Sequence, residues 1–206
     1  MKRLFWGNQE AITYITKELQ NGEVILAEGD TVLGLLADVS AKGVEQLNHI
    51  KKRSQKPYLI LVGNSKKVFD FIEVDKEKFF QTEKLIYACW PGPVTLIFKA
   101  KEGIFPAAQT PEGTIAIRVP NHPGLLQLLS HFDALFSTSA NSSGQPVPDS
   151  IEAVDASILD AVACIVVNDA NKQSTVPSTI IDCTGEKPVI VRQGAFDMSK
   201  LTGIFD

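Results

Sequence analysis

The stretch Ser137-Thr138-Ser139-Ala140-Asn141-Ser142-Ser143-Gly144 packs hydroxyls, an amide and a glycine into consecutive positions. It follows Ala134-Leu135-Phe136, an apolar run that reads as the end of a buried strand. Small polar side chains and backbone N–H groups leaving a strand end form a concave donor surface suited to phosphate or carboxylate oxygens. Taken alone, the same residues also suit a Ser/Asn-rich turn that caps a helix. The basic segment over residues 42–67 tips the balance, because it sets Lys42, Lys51, Lys52, Arg53, Lys56, Lys66 and Lys67 against Glu45 alone. Lys42, Lys66 and Lys67 fit a solvated helix face. Lys51 and Arg53 fall where a helix gives way to a strand, the kind of place where α/β sheets gather ligands. An ammonium beside a guanidinium fork suits a polyphosphate.

Several other chemistries find no support in the spacing. The sequence has neither a GxxxxGK[ST] loop nor a GxGxxG fingerprint. His49, His122 and His131 lack metal spacing, so no metal ligands are assigned, and His122 before Pro123 suits a turn cap. Ser137 and Ser139 lack the GxSxG elbow of a hydrolase. Arg118 alone would be an ion pair at a strand end, Arg192 a charge on a sheet edge, and Ser178 the start of a strand.

With 206 residues, 44% of them hydrophobic, the chain can bury a substantial core, and one domain over residues 1–206 is expected. A net charge of -4 means that affinity for nucleotide or RNA has to come from a local patch. Cys89, Cys164 and Cys183 are odd in number and lack CxxC spacing, which points to a reducing compartment without structural zinc. No signal-like or bilayer-length apolar run is visible, so a soluble, cytoplasmic protein without membrane contact is expected.

The elements that must position these residues follow from periodicity. Helices are expected over Ala11–Leu19, Ser40–Lys52 with Ser40 as cap, Lys66–Phe71, Lys76–Cys89, Pro123–Ser130 and Ile151–Leu159. Strands are expected at Val24–Ala27, Tyr58–Val62, Val94–Phe98, Thr114–Val119, Ala163–Val167, Thr179–Asp182 and Val189–Arg192. Glu28 to Leu35 reads as a turn-rich segment, and Trp90-Pro91-Gly92-Pro93 as a sharp stop. Helices interleaved with many strands give an α/β domain around a mixed, twisted sheet.

Together these segments resemble the YrdC/TsaC family, the L-threonylcarbamoyladenylate synthases. Lys51-Lys52-Arg53 matches the family's KxR element, Ser139-Ala140-Asn141 its SxN element, and Trp90-Pro91-Gly92-Pro93-Val94-Thr95 its WPGP-T segment. Ile117-Arg118-Val119-Pro120, Pro177-Ser178-Thr179-Ile180-Ile181-Asp182 and Arg192-Gln193-Gly194 match the IRVP, PST-x-x-D and R-x-G elements. The likeness runs from about Val24 to Gly194.

The resemblance implies flanking helices around a YrdC-like sheet with a basic cavity. It implies a reaction that joins L-threonine, bicarbonate and ATP, with Mg2+ on the triphosphate, into threonylcarbamoyl-adenylate and pyrophosphate. The adenylate feeds threonylcarbamoyl modification of tRNA, through transient contact with the tRNA threonylcarbamoyl transferase complex. By resemblance, Lys51, Arg53, Ser139 and Asn141 carry the catalysis, and with Lys56 and Arg192 they hold ATP. Thr31, Arg118, Ser137 and Ser178 hold threonine and its carbamate, and Trp90 with its prolines walls the site. The family's usual PTDTVYGL reads Glu28-Gly29-Asp30-Thr31-Val32-Leu33-Gly34-Leu35 here, without a tyrosine and a threonine hydroxyl and with an added carboxylate. The loop after Arg53 is short, and the chain is expected to be the short, single-domain form. A second function also fits: a diverged paralogue that binds tRNA, double-stranded RNA or nucleotide without making the adenylate.

Overall fold

The computed structural model describes residues 2–52, 57–168 and 174–203. Helix α1 (Gln9–Gln20) begins where Asn8 Oδ1 accepts the N–H of Glu10 at 2.8 Å and of Ala11 at 3.3 Å. This cap satisfies donors that the first turn leaves unpaired. Its Ala11, Ile12, Ile15 and Leu19 form one buried stripe. Ser40 caps α2 (Ala41–Lys51) as its sequence predicts, its Oγ accepting from Gly43 N at 3.2 Å. At the other end Lys52 turns left-handed at φ 49°, which leaves Lys51 as the last helical residue. Helix α3 (Phe79–Cys89) stops at Trp90-Pro91, and α4 (Pro123–Leu129) begins at the His122 cap.

The helix expected over Ile151–Leu159 is instead a 3-10 turn (Ile151–Ala153) followed by α5 (Ala156–Leu159). Val154 is extended, and Asp155 starts the second piece by accepting from Ser157 N at 2.8 Å. The Lys66–Phe71 segment is likewise a 3-10 helix, Lys66–Asp70.

The strands are β1 (Lys2–Phe5), β2 (Ile25–Ala27), β3 (Gly34–Asp38), β4 (Leu59–Leu61), β5 (Val94–Lys99) and β6 (Thr114–Arg118), followed by β7 (Leu135–Ser139), β8 (Cys164–Val167), β9 (Thr179–Asp182) and β10 (Val189–Arg192). All join one mixed sheet in the order β1-β8-β2-β3-β7-β4-β6-β5-β9-β10. The pairs β1/β8, β2/β8, β4/β6 and β5/β9 are parallel, and the remaining neighbours antiparallel. Three strands depart from expectation, the first being β1, which the periodicity did not indicate. Residues 34–38, read as the tail of a turn, form β3, and Ser137 to Ser139, read as a turn leaving a strand, are the last residues of β7.

Period-two alternation sorts side chains between the two faces. On one face Leu26, Leu35, Ile60, Phe136, Leu96 and Ile117 join a large core that also takes in Leu47 and Ile50 of α2 and Leu85 and Ile86 of α3. On the other, Ile25, Leu36, Leu61, Leu135 and Val166 pack against α1 and α4. That second packing accounts for only part of its face. Ala27 at the end of β2 and Ile180 in β9 line one cavity although six strand-to-strand steps separate them. A flat sheet would hold them about 29 Å apart at ~4.8 Å per step, so this sheet is rolled about the cavity. No helix among the described residues is long and apolar enough to cross a membrane.

Candidate active site

The alternation that builds the core also builds the site. In β5, Val94, Leu96 and Phe98 face the core, and Thr95 and Ile97 face the cavity. In β6, Ile115 and Ile117 point inward, whereas Ala116 and Arg118 line the cavity. In β9, Ile181 joins the core while Ser178, just before the strand, and Ile180 line the cavity. Polar residues in otherwise apolar strands thus converge on one hollow of about 340 Å³. Its size lies within the range of small-molecule sites.

Arg118, the last residue of β6, is 5% exposed. Its Nη1 donates to Thr31 Oγ1 at 2.7 Å, and its Nη2 lies 3.4 Å from Asp30 Oδ1, an ion pair without hydrogen-bond alignment. Asp30 is held in turn by the N–H of Asn121, donating to Oδ2 at 2.8 Å. Burial pulls the guanidinium below its ordinary pKa, and Asp30 pulls the other way. The Nε of Arg118 is buried without an acceptor among the described residues. A buried donor beside a cavity is placed to receive an oxygen from a ligand.

Ser178 Oγ lies 2.9 Å from Thr95 Oγ1, and Ser178 O accepts from Arg192 Nε at 3.2 Å and Nη2 at 2.8 Å. Arg192 comes from the edge strand β10, yet its side chain reaches back into the cavity lining. Gly194 makes that return feasible. A Cβ there would stand 2.2 Å from Pro177 O and 2.4 Å from Ser178 C, so only glycine lets the chain pass. Thr179 Oγ1 accepts from Gly194 N at 2.9 Å and fixes the crossing. Gly194→Ala is expected to cost about 1–3 kcal/mol through overpacking and to shift Ser178 and Arg192 together. Urea unfolding reads the first effect, and a parallel loss of ATP affinity the second.

Thr31, Arg118, Ser137, Ser178, Ser139 and Arg192 all line the cavity. Lys51 and Asn141 stand behind Ser139 instead. Lys51 is 2% exposed, and its Nζ donates to Ser139 O at 2.6 Å, to Asn141 Oδ1 at 3.0 Å and to Asn141 O. Ser139 Oγ donates to Asn141 Oδ1 at 2.5 Å, and Asn141 Nδ2 to Gln145 O. The SxN turn is thereby clamped from beneath by a buried ammonium at the C-terminus of α2. Arg53 and Lys56 lie outside the described residues. Lys42 and Lys67 answer local needs, pairing with Glu23 at 3.4 Å and Asp133 at 2.7 Å.

Trp90 is not a wall of the cavity: it is buried in the core, its indole Nε1 donating to Val94 O at 2.6 Å. Leu33 is fully buried in the same core, so a hydrophobic residue suits that position. Gly29 lines the cavity, and a Cβ there would meet Leu125 Cδ1 at 3.0 Å, so Leu125 fills the space that a threonine would need. Two participants escaped the sequence reading. Thr95 was visible as a lone hydroxyl on alternate positions of an apolar strand. Asp30 had no signal of its own, because its partner Arg118 is far away in sequence.

The Sua5_yciO_yrdC family model, described as telomere recombination, matches residues 17–194. A threonylcarbamoyl-AMP synthase of Klebsiella pneumoniae is 33% identical over 195 residues, spanning 90% of this chain and 96% of that protein. The crystal structure of P. abyssi Sua5 complexed with L-threonine matches with a TM-score of 0.84 at 24% identity, over 98% of this chain and 60% of that one. E. coli YciO matches with a TM-score of 0.77 at 21% identity over 97% of each chain. At these identities the two structures establish the fold, and this chain spans only 60% of the length of the P. abyssi protein.

Proposed function

The chain belongs to the Sua5/YciO/YrdC family, and from that premise we propose that it is a threonylcarbamoyl-AMP synthase, a nucleotidyltransferase that makes the adenylate for tRNA modification. The observation that carries this reading is the convergence of Arg118, Thr31, Ser137 and Ser178 with Ser139 and Arg192 on one cavity. L-Threonine places its carboxylate at Arg118, where Nε has no acceptor among the described residues and Nη1 already meets Thr31. A fork that is buried and fixed in place binds a planar carboxylate with little reorganisation.

Carboxylation of the amine by bicarbonate gives a carbamate, whose oxygen attacks the α-phosphorus of ATP as pyrophosphate leaves. Nothing in this step requires a covalent enzyme intermediate. Positioning and charge stabilisation supply the acceleration, as in other phosphoryl-group chemistry. Arg192 and the donors around Ser139 face the phosphates, with Arg53 assigned to the same end by its place in the KxR element and Lys56 by its place in the short loop that follows it. Magnesium enters as the counter-ion of the triphosphate substrate. Lys51 works from behind, lending its charge to the Ser139–Asn141 turn and fixing which donors that turn presents. A reaction that draws on ATP and serves tRNA belongs in the cytoplasm, with the adenylate passed to a transferase that completes the modification.

The test is pyrophosphate release by purified protein with ATP and magnesium. Release that requires both L-threonine and bicarbonate is expected. Release that needs neither would contradict the synthase reading, and no release at all alongside salt-sensitive RNA binding would favour the binding paralogue.

A further inference from the structure

Glu28 directly follows β2 and is one of the residues that line the cavity. Its position is fixed from several sides. The carbonyl accepts from Trp6 Nε1 at 2.9 Å, the amide donates to Val166 O at 2.9 Å, and Oε2 accepts from Asn168 N at 2.7 Å. Behind it, His122 Nε2 meets Asn168 Oδ1 at 2.7 Å while Nδ1 accepts from Leu125 N at 3.1 Å. Those partners assign His122 the neutral tautomer with its proton on Nε2. The carboxylate is therefore anchored through one oxygen by a chain of neutral donors.

No lysine or arginine among the described residues pairs with it; the ion pairs there are Lys42–Glu23, Lys67–Asp133 and Arg118–Asp30. Among the described residues, the other charged members of the cavity lining are Arg118 and Arg192. A purely anionic ligand would meet repulsion at Glu28. A zwitterion satisfies both ends, its carboxylate on Arg118 and its cation on Glu28.

We propose that Glu28 is a specificity-determining residue that receives the α-ammonium of the amino-acid substrate. This inference rests on the synthase reading. It gives the cavity a polarity, with the amino acid held at the Glu28 and Arg118 end and the phosphates at the Arg192 end. Carboxylation converts the ammonium and bicarbonate into a carbamate, water and a proton, so the attraction to Glu28 disappears. The new carbamate oxygens are then repelled towards the phosphates.

Glu28→Gln isolates the charge, because glutamine still presents an oxygen to Asn168 N. Calorimetric titration compares L-threonine with its 2-hydroxy analogue, which lacks the ammonium, on both proteins. The unaltered protein is expected to bind threonine at least tenfold more tightly than the analogue. In Glu28→Gln that preference is lost through weaker threonine binding, at an unchanged melting temperature. Equal threonine affinity in the two proteins overturns the inference and leaves the synthase reading standing. So does an analogue that binds the unaltered protein as tightly as threonine, a comparison that does not depend on the variant folding. Failure of the unaltered protein to bind threonine, with or without ATP, overturns both.

Discussion

Lys51→Met is expected to abolish turnover and to lower the unfolding free energy by about 2–4 kcal/mol. Methionine fills the space of the lysine stem, so the loss comes from the ammonium. Ser139 O and Asn141 O would lose the ammonium donor, and Asn141 Oδ1 would keep only Ser139 Oγ, in a site that is 2% exposed at Lys51. Buried acceptors stripped of a partner retain their full desolvation penalty. For a chain of this length the destabilisation corresponds to a fall in Tm of about 5–15 °C. A lysine that only touched phosphate would behave differently. Its removal would cost ATP affinity and leave stability unchanged or improved, since an unneeded buried charge would be gone. Denaturant unfolding alongside the pyrophosphate assay separates the two roles.

Arg118→Lys carries the second large effect, on KM for threonine. Lysine keeps the charge near Asp30 but loses the fork, including the buried Nε that has no acceptor among the described residues. Charge-assisted hydrogen bonds contribute about 1.5–3 kcal/mol each, so KM for threonine is expected to rise about ten- to a hundredfold. Affinity for ATP should move little if Arg118 serves the amino-acid end, as proposed. Arg118→Ala is the harsher change: it strands Asp30 without its cation, which costs about 3–5 kcal/mol when such a pair is buried. Steady-state kinetics in each substrate distinguishes a threonine contact from a general collapse.

Much of the architecture was legible because most strands bury an apolar face, and periodicity reports burial. The strands expected at Val94–Phe98 and Thr114–Val119 form as Val94–Lys99 and Thr114–Arg118, and Ser40 caps its helix. The signal failed where a strand's alternate face lines the cavity. Ser137 to Ser139 look like a turn because nothing apolar is required of them there; they are nonetheless strand, paired with β3, with Ser137 opposite Leu36 and Ser139 opposite Gly34. Strand β3 was obscured for a related reason, since it emerges directly from the polar turn that carries Asp30 and Thr31.

The site residues were legible as types but not as roles. Ser139, Asn141 and Lys51 were placed together by their motifs, yet only the fold distinguishes the residue on the cavity wall from the two behind it. Gly194 was visible as one letter of R-x-G. Its reason, the passage of residues 177–178 within 2.6 Å of where a Cβ would stand, is tertiary.

A synthase of this kind joins threonine, bicarbonate and ATP in one cavity. The most direct measurement is mass spectrometry of a reaction containing L-threonine, ATP, magnesium and isotopically labelled bicarbonate. The expected product is threonylcarbamoyl-AMP carrying the bicarbonate label, formed by the unaltered protein and lost in Lys51→Met. ATP turnover without a labelled adenylate, or an undiminished product from Lys51→Met, would contradict it.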